Sequence, residues 1–429
     1  MVGDAKLTQK FLRLSYQHFK LDTASDKLEV MDVSGMSNPV FIVAAAANPD
    51  AKIIIRFFQS QAADFVMENT IFGLTSAKGL SPQIVQSDFE TYRIEEHYDG
   101  SVFDYSDLSE KPVVKLTMKL LSDFNYDRDL FNISPAADLK ANEFILDKAK
   151  GWYWLAFNEI KPLFEQIEKI MRKTENAAWR PSLETFKKID DLFFQDQDKF
   201  FREYMELLPT LNEDSIKEEA VVFCHNDTQE NNLMHAFTTD ADGVKEISEV
   251  KIIDFEYSGI NHRGVDLAGY IQEACINYAV ETTPKYQIDE TKFPNFDGPA
   301  KEGSIDIDFL VTAYLTNFYE SHLPTLVADY QHIEKFSSLE AYLAHEVPVL
   351  KSQLKGLILH QDLTWVAWCL VMTRGILLDS KTGQLWEDPA RLQQAIEEIA
   401  EFNMPYAATR LELYAKRREL FGRPSLFKI

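Results

Sequence analysis

The sequence predicts an α+β protein in which a small antiparallel β lobe with one helix is joined to a large, mainly helical lobe. Two observations predict this architecture. Short β-branched or apolar runs, separated by Gly, Ser, Asn and Pro, dominate the first hundred residues. Beyond about residue 105, apolar residues recur at spacings of three and four over long segments, which is the helical period. We therefore expect two domains, residues 1–98 and 99–429.

The β lobe is predicted to contain five strands and one helix. The helix extends from about residue 64 to 78, because Gly79 closes its apolar pattern and Pro82 follows just beyond. The strands cover residues 28–33, 39–47, 52–58, 83–87 and 91–98. These elements are expected to form a small antiparallel sheet that packs against the helix.

The helical lobe is predicted to contain one short β-rich island. Apolar residues at helical spacing define segments at 110–124, 138–173, 183–208, 263–279, 305–329, 338–378 and 391–420. The island has three strand-like runs, at 220–224, 233–237 and 250–255. The acidic segment 289–306, with two Pro and two Gly, is predicted to be a surface loop.

Composition and charge limit the possible functions. The 429 residues include 44 Lys and Arg against 68 Asp and Glu, a net charge of −24. Such a charge repels phosphate backbones, so we expect no nucleic-acid partner, whereas a cationic small molecule is favoured. The longest apolar run near the start, Val40–Ala47, is far shorter than the roughly 20 residues of a membrane span. With no secretory signal and only three cysteines, we expect a cytoplasmic protein without a disulfide framework.

Two segments of the β-rich island contain the polar residues of a phosphoryl-transfer site. They are HNDTQENN at 225–232 and IIDFEY at 252–257. Kinases use an Asp that accepts the hydroxyl proton, an Asn five residues later and a second Asp on the metal ions. Asp227, Asn232 and Asp254 match this order. Taken singly, Asn and Asp after a strand are ordinary turn formers, but the combined spacing favours catalysis.

The chemistry of phosphoryl transfer explains these residue types. The transition state spreads negative charge over the phosphoryl oxygens, and Mg²⁺ held by hard oxygen ligands stabilises that charge. Asn232 and Asp254 are the predicted metal ligands, and Asp227 is predicted to orient the substrate hydroxyl and take its proton. His225 either contacts substrate or supports the loop through backbone hydrogen bonds, and we expect the second role.

The extended segments FCHNDTQENNL and IIDFEYSGINHRGVDLAGY resemble the choline/ethanolamine kinase family, a branch of the protein-kinase-like fold. Shorter matches occur at 34–38, 53–57, 66–68, 79–82 and 93–96. The resemblance implies a bilobal protein-kinase-like fold, with a nucleotide-binding lobe before residue 99 and a catalytic, alcohol-binding lobe after it. It also implies phosphorylation of choline to phosphocholine by ATP with Mg²⁺, as the first step of phosphatidylcholine synthesis by the CDP-choline route, and a homodimer in many members.

The resemblance also assigns residues to the nucleotide. These are Gly35, Ser37, Asn38, Arg56, Glu68, Glu95, Glu96, His97 and Gln229. Strand alternation places Arg56 where it either reaches into a cleft or forms a solvated strand end. Glu68 either holds Arg56 through a charge-assisted hydrogen bond or is an exposed helix acid. Gly35 either permits close approach to a phosphate or forms only a hairpin turn.

An aromatic pocket for the alcohol is predicted from the helical lobe. A quaternary ammonium cannot donate a hydrogen bond, so aromatic faces attract it, at roughly 0.5–2 kcal/mol per ring. Trp365 and Trp368 share a helix face by their spacing, although core packing is the usual role of such a pair. Tyr257 follows the metal-binding motif and is expected at the same cleft. The resemblance adds three residues to this pocket, namely Glu273, Tyr278 and Tyr406, with both Glu273 and Tyr278 on a helix from residue 264 to 278.

Asp266 is expected to be structural. It lies near the start of a predicted helix, where negative charge is favoured, and it is expected to support the catalytic loop or that helix N-terminus.

The sequence is compatible with several functions. Ethanolamine is a close alternative to choline, because its primary ammonium can use the same rings and also hydrogen-bond to an acid. A kinase for another hydroxyl, such as an aminoglycoside or a sugar, would call for several acidic hydrogen-bonding groups instead of aromatic rings. A catalytically silent scaffold with the same fold is the alternative from outside enzymes. All three key polar residues are present, which favours an enzyme.

Overall fold

The computed structural model describes residues 5–23, 26–33, 39–58, 65–88, 90–133, 151–174, 180–192, 194, 197–207, 220–239, 245–329, 336–379 and 382–423. The chain divides into two compact units. The first contains Met1–Phe103 and Asn231–Ser258, and the second contains Asp104–Glu230 and Gly259–Ile429. The segment Asn231–Ser258 therefore groups with the N-terminal part of the chain, whereas the sequence predicts a single boundary after residue 98. The functional division into a nucleotide lobe and a catalytic lobe stays a prediction.

The strands are short and concentrated in the first unit. Their bounds are β1 Leu28–Asp32, β2 Val40–Ala45, β3 Asn48–Phe57, β4 Ile84–Ser87, β5 Tyr92–Glu96, β6 Ser101–Val102, β7 Val221–Cys224, β8 Leu233–Thr239, β9 Lys245–Ile252, β10 Gly259–His262, β11 Ile276–Asn277 and β12 Gln287–Ile288. The predicted strands of the first hundred residues are thus confirmed in place, with shifted ends.

Helices make up most of the second unit. Their bounds are α1 Ala5–Phe19, α2 Phe65–Ala77, α3 Lys111–Asn125, α4 Arg128–Ile133, α5 Lys161–Thr174, α6 Arg180–Leu192, α7 Gln197–Glu206, α8 Val265–Glu273, α9 Ile307–Asn317, α10 Leu323–Asp329, α11 Leu339–Leu377, α12 Pro389–Glu401 and α13 Asn403–Leu420. Short π-helical segments, at Ala156–Ile160 and Phe318–His322, precede α5 and α10. Residues 138–150 of the predicted helix 138–173 lie outside the described residues.

The first unit is built on a five-stranded antiparallel sheet with the order β1–β2–β3–β5–β4. Helix α1 covers one face, because Phe11 and Leu14 are buried with Phe41 and Ile55 of the sheet. The rings of Phe11 and Phe41 lie 5.0 Å apart. Helix α2 follows β3 and ends at Ala77. Gly79, just beyond the helix, has a φ of 75°, a conformation that glycine adopts without strain.

A second sheet in the first unit has the order β6–β8–β9. Leu233 pairs with Ile252 at one end of the β8–β9 ladder, and both are buried. The predicted run 250–255 begins earlier and ends earlier in the structure, because β9 covers Lys245–Ile252. Asp254 leaves the strand with a φ of 68°.

The second unit is organised around α11, a helix of 39 residues. Its buried face packs into an apolar core with residues of α13, α6 and α7, including Leu363, Val366, Leu411, Ile189 and Tyr204. Strands β7 and β10 pair antiparallel, with Cys224 opposite Gly259. The three cysteines are buried and free, as expected.

Two predicted helices of the second unit end earlier than their apolar patterns. The segment 263–279 is helical only to Glu273, because the chain then forms β11, in which Asn277 pairs with Gln287. The prediction that Tyr278 lies on this helix is therefore wrong. The segment 391–420 is broken at Phe402, whose φ of −139° is not helical, so α12 and α13 are separate helices. Residues 289–306 form neither helix nor strand, as predicted.

No helix in the described ranges is both long and apolar enough to cross a lipid bilayer.

Candidate active site

The loop after β7, which contains Asp227, is attached to helix α8 by a buried carboxylate. Asp266, in the first turn of α8, accepts the backbone N–H of His225 at 2.9 Å and that of Asn226 at 2.8 Å. Asn125 on α3 donates its Nδ2 to the same carboxylate at 2.7 Å. Hydrogen bonds to a charged group contribute about 1.5–3 kcal/mol each, so Asp266 holds this loop in one conformation.

Left-handed backbone conformations mark both predicted catalytic segments. Among the non-glycine residues that the structure describes, those with positive φ are Lys20, Asn226 and Asp254. Asn226 directly precedes Asp227, and Asp254 is itself a predicted metal ligand. This conformation costs a non-glycine residue about 1–2 kcal/mol, and such strain is concentrated at functional sites.

Asp227 is buried within the second unit, with 8% of its surface exposed. Gln229 donates its Nε2 to Asp227 Oδ2 at 3.0 Å. The structure therefore places Gln229, which the family resemblance assigned to the nucleotide, on the carboxylate that is expected to accept the proton. This contact orients the carboxylate.

Glu230 is a buried acid that the sequence analysis did not select. It is 5% exposed, and its Oε2 has no hydrogen-bond partner in the described part of the chain. Burial, together with repulsion by Glu273, Asp227 and Asp104, raises the pKa of Glu230 to about 8. The catalytic motif leaves this position unspecified, so only its spacing of three from Asp227 could have indicated it.

The two predicted metal ligands lie at adjoining strand ends in the first unit. Asn232 precedes β8 and Asp254 follows β9, and Leu233 pairs with Ile252 between them. Ile253 also donates its backbone N–H to the carbonyl of Asn232 at 3.0 Å. Strand pairing therefore holds the two residues close together.

The residues at these strand ends fit Mg²⁺. Carboxylate and amide oxygens are its protein ligands, and Mg²⁺ completes its coordination with water and substrate phosphates. The described residues contain no group of three or more His, Cys, Asp or Glu that could hold a metal ion. Burial, with repulsion from Asp254 and Glu68, raises the pKa of Glu256 to about 7. A cation near Asp254 would offset this repulsion.

Arg56 on β3 lies among acids of the first unit. Its Nε is 3.9 Å from Glu95 Oε1, and 15% of its side chain is exposed, which differs from a solvated strand end. Burial opposes its charged form, but the carboxylates of Glu95, Asp254 and Glu68 outweigh burial and raise the pKa of the Arg56 guanidinium. The side chain stays charged and suited to phosphate oxygens.

Glu68 on α2 pairs with Arg93, a residue that the sequence analysis did not assign to the site. Arg93 is fully buried, with Nη1 3.5 Å from Glu68 and Nε 2.7 Å from Glu95. Its guanidinium lies 3.7 Å from the ring centroid of Phe72. In the sheet Arg93 is directly opposite Arg56, so Glu95 contacts two neighbouring cations. Only the strand register, which the sequence does not specify, brings these groups together.

The remaining predicted nucleotide residues are placed only in part. Glu95, Glu96 and His97 lie at the end of β5. The backbone N–H of Glu96 donates to Gln83 and that of His97 to Lys52, so both donors already have partners. The predicted nucleotide loop, with Gly35, Ser37 and Asn38, lies outside the described residues.

Three of the predicted alcohol-pocket residues contact one another in the second unit. Tyr278 donates its hydroxyl to Glu273 Oε2 at 2.9 Å and lies 2.8 Å from the hydroxyl of Tyr406. The ring of Tyr406 stacks on Phe402 at 5.0 Å. Arg410, which the sequence analysis missed, donates to Glu273 Oε1 at 2.7 Å. Its position four residues after Tyr406 on α13 could have indicated it.

The tryptophan pair lies on one face of α11. The rings of Trp365 and Trp368 are 5.5 Å apart in an edge-to-face arrangement. Both are partly buried against the apolar core that includes Tyr406. Tyr257 belongs to the first unit. Within the second unit, the structure brings together Glu273, Tyr278 and Tyr406. It pairs the two tryptophans with each other.

Comparison with known proteins agrees with these segments. The sequence profile of the choline/ethanolamine kinase family matches residues 30–415. The chain belongs to the choline/ethanolamine kinase family. Every predicted site residue lies within the matched range, including those of the nucleotide loop at 34–38. The family resemblance drawn from the two catalytic segments is thereby confirmed.

Individual members of the choline/ethanolamine kinase family are distant relatives. A mouse choline/ethanolamine kinase is 23% identical over 279 residues, which cover 63% of this chain and 60% of that protein. The match thus spans about 60% of that relative's length.

Solved structures of the family show the fold. A choline kinase from Cryptosporidium parvum superposes with a TM-score of 0.56 at 20% identity, covering 97% of this chain and 96% of that one. An ethanolamine kinase from Plasmodium vivax gives a TM-score of 0.51 at 16% identity, covering 96% and 89%. The predicted protein-kinase-like fold is therefore confirmed.

Proposed function

We propose that this protein transfers the terminal phosphoryl group of ATP to choline and so begins phosphatidylcholine synthesis. The observation that supports this most directly is the loop of Asp227, which Asp266 fixes through two backbone hydrogen bonds. This loop lies in the range matched by the family, and the paired strand ends at Asn232 and Asp254 complete the motif.

Each polar residue of the motif has a defined role in this proposal. Asp227 orients the choline hydroxyl and accepts its proton as the oxygen attacks, while Gln229 holds the Asp227 carboxylate. Asn232 and Asp254 hold Mg²⁺, which neutralises charge on the phosphate oxygens when it is bound. Arg56 binds the phosphates, because its guanidinium stays charged.

The choline head is bound by aromatic faces and an acid. Tyr278 and Tyr406 are joined by their hydroxyls, and Glu273 accepts one of them. Trp365 and Trp368 add two further rings from α11. Rings attract a quaternary ammonium through their electron-rich faces, at about 0.5–2 kcal/mol each.

Ethanolamine is the second candidate substrate, and the geometry of Glu273 favours it. The carboxylate of Glu273 and the hydroxyls of Tyr278 and Tyr406 are hydrogen-bond acceptors that a primary ammonium can use. The mouse relative is named for both alcohols.

The deciding experiment measures ATP consumption with choline, ethanolamine and several unrelated alcohols, each with and without Mg²⁺. We expect Mg²⁺-dependent turnover with the highest kcat/KM for choline. A far higher kcat/KM for ethanolamine would replace choline as substrate, and turnover of a sugar alone would refute both. No turnover with any alcohol, together with retained ATP binding, would indicate a scaffold.

A further inference from the structure

Among the buried acids that the structure describes in the second unit, Glu230 is distinguished by a carboxylate oxygen, Oε2, without a hydrogen-bond partner. Only 5% of the surface of Glu230 is exposed, and its Oε2 makes no hydrogen bond to any described residue. An ionisable group buried in this way is costly unless another charge offsets it. The position therefore requires an explanation.

The charged groups that influence Glu230 most strongly are acids. Glu273, Asp227 and Asp104 are the carboxylates that repel it. Arg410 forms an ion pair with Glu273. Its Nη1 also lies 3.2 Å from Asp362 Oδ1, so Arg410 has two carboxylate partners. Arg410 thus offsets acids other than Glu230.

Two of these acids belong to different parts of the proposed site. Asp227 is three residues before Glu230 on the catalytic loop, and Glu273 bonds to Tyr278 of the aromatic pocket. A ligand with its hydroxyl at Asp227 and its cationic head at Tyr278 would bring a positive charge to this group of acids.

We propose that Glu230 is a further specificity residue of the acceptor site, whose carboxylate faces the cationic head of the alcohol and selects it over a neutral alcohol. This inference rests on the proposed function and extends it. Glu230 and Glu273 together supply two acids to one cation, and Asp227 is left to act on the hydroxyl.

The test compares choline with its uncharged isostere 3,3-dimethylbutan-1-ol in the wild type and in Glu230→Gln. Glutamine keeps the shape of the side chain and cannot carry the negative charge of a carboxylate. We expect kcat/KM for choline to fall on the order of tenfold or more, the size of one lost charge-assisted contact. For the neutral isostere the change should stay within about twofold, and KM for ATP should be unaffected.

Two further variants separate recognition from folding. Glu230→Asp retains the charge and should recover much of the preference for choline over the isostere. Glu302→Gln removes a charge from an exposed loop of the same unit and should leave the preference unchanged. An equal loss for both alcohols in Glu230→Gln, or a changed Mg²⁺ requirement with an unchanged alcohol preference, would overturn the inference.

A binding measurement distinguishes this inference from the proposed function. Tetramethylammonium, which is the head group alone, is titrated into the full-length wild type and Glu230→Gln by calorimetry. We expect binding to the wild type and a weakening on the order of tenfold in the variant. Binding with that dependence but no phosphorylation of any alcohol would refute the proposed function alone. No binding to the wild type, or equal binding to both proteins, would refute the role of Glu230.

Discussion

Asp227 is the residue on which proton transfer is proposed to depend. Replacing Asp227 by Asn keeps its hydrogen-bonding shape for Gln229 but removes the base. We expect kcat to fall by about 10²–10⁴, the usual contribution of a general base, and ATP affinity to stay within about twofold. Steady-state assays and nucleotide titration measure the two effects. Turnover at the wild-type rate would exclude Asp227 as the base, and Glu302→Gln is the matched control.

Asp254 combines a side chain that is proposed to bind Mg²⁺ with a backbone conformation that suits glycine. Its φ of 68° costs a residue with a Cβ about 1–2 kcal/mol, and this cost is absent in glycine. Asp254→Gly and Asp254→Ala should both lose Mg²⁺-dependent turnover, because each removes the carboxylate. We expect Asp254→Gly to be the more stable of the two by about 1 kcal/mol, after allowing for the larger chain entropy of unfolded glycine. Urea denaturation of both variants measures this difference, and a less stable Gly variant would argue against strain at this position.

At the scale of elements, helix α8 holds the loop that contains Asp227 through the carboxylate of Asp266. In Asp266→Asn the uncharged amide can accept fewer and weaker bonds from the backbone of His225 and Asn226, and its NH₂ opposes the Nδ2 donor of Asn125. The free energy of unfolding should fall by about 2–3 kcal/mol. We also expect a lower kcat with ATP affinity retained, because the loop and not the nucleotide is displaced. Calorimetric unfolding and steady-state kinetics test both points, and unchanged kcat would show that Asp266 serves stability alone.

The order and type of the elements could be predicted, because hydrophobic period and turn residues are local properties. Helix α2 and strand β3 lie where their patterns placed them, and the Asp227 and Asp254 segments were selected by spacing alone. The end of α8 at Glu273 could not be predicted, because the pairing of Asn277 with Gln287 terminates the helical pattern from outside it. Tertiary pairing overrides local preference at such ends.

The sequence also could not predict which charged side chains would pair across different elements. Arg93 on β5 meets Glu68 on helix α2, and Arg410 on α13 meets Glu273 at the end of α8. Both contacts join elements that are distant in the sequence. Charged side chains occur throughout the chain, and no local pattern marks the few that become buried. The site could therefore be predicted as a list of motif residues, but not as a network of ion pairs.

At the scale of the whole molecule, an excess of acids shapes the pH dependence of stability. Glu256 has its pKa raised to about 7 and Glu230 to about 8, chiefly by burial, from an ordinary 4.5. Between pH 4.5 and those values the folded state binds more protons than the unfolded state, so stability falls as pH rises through this window. Asp88 and Asp123, each lowered to about 2, have the opposite effect and lose their contribution as pH falls below about 4.

Mg²⁺ should reduce the loss of stability that occurs as the pH rises. A cation held by Asn232 and Asp254 offsets the repulsion that Asp254 exerts on Glu256, so deprotonation of Glu256 becomes less unfavourable in the folded state. Urea denaturation at pH 5.5 and 8.5 should therefore show a smaller loss of unfolding free energy with Mg²⁺ and ATP than without them, on a scale of about 1.4 kcal/mol per pKa unit. In Glu256→Gln without ligands, the loss of unfolding free energy between pH 5.5 and 8.5 should already be smaller than in the wild type. Equal losses with and without Mg²⁺, in a protein that binds ATP, would show that the ion does not bind beside Asp254.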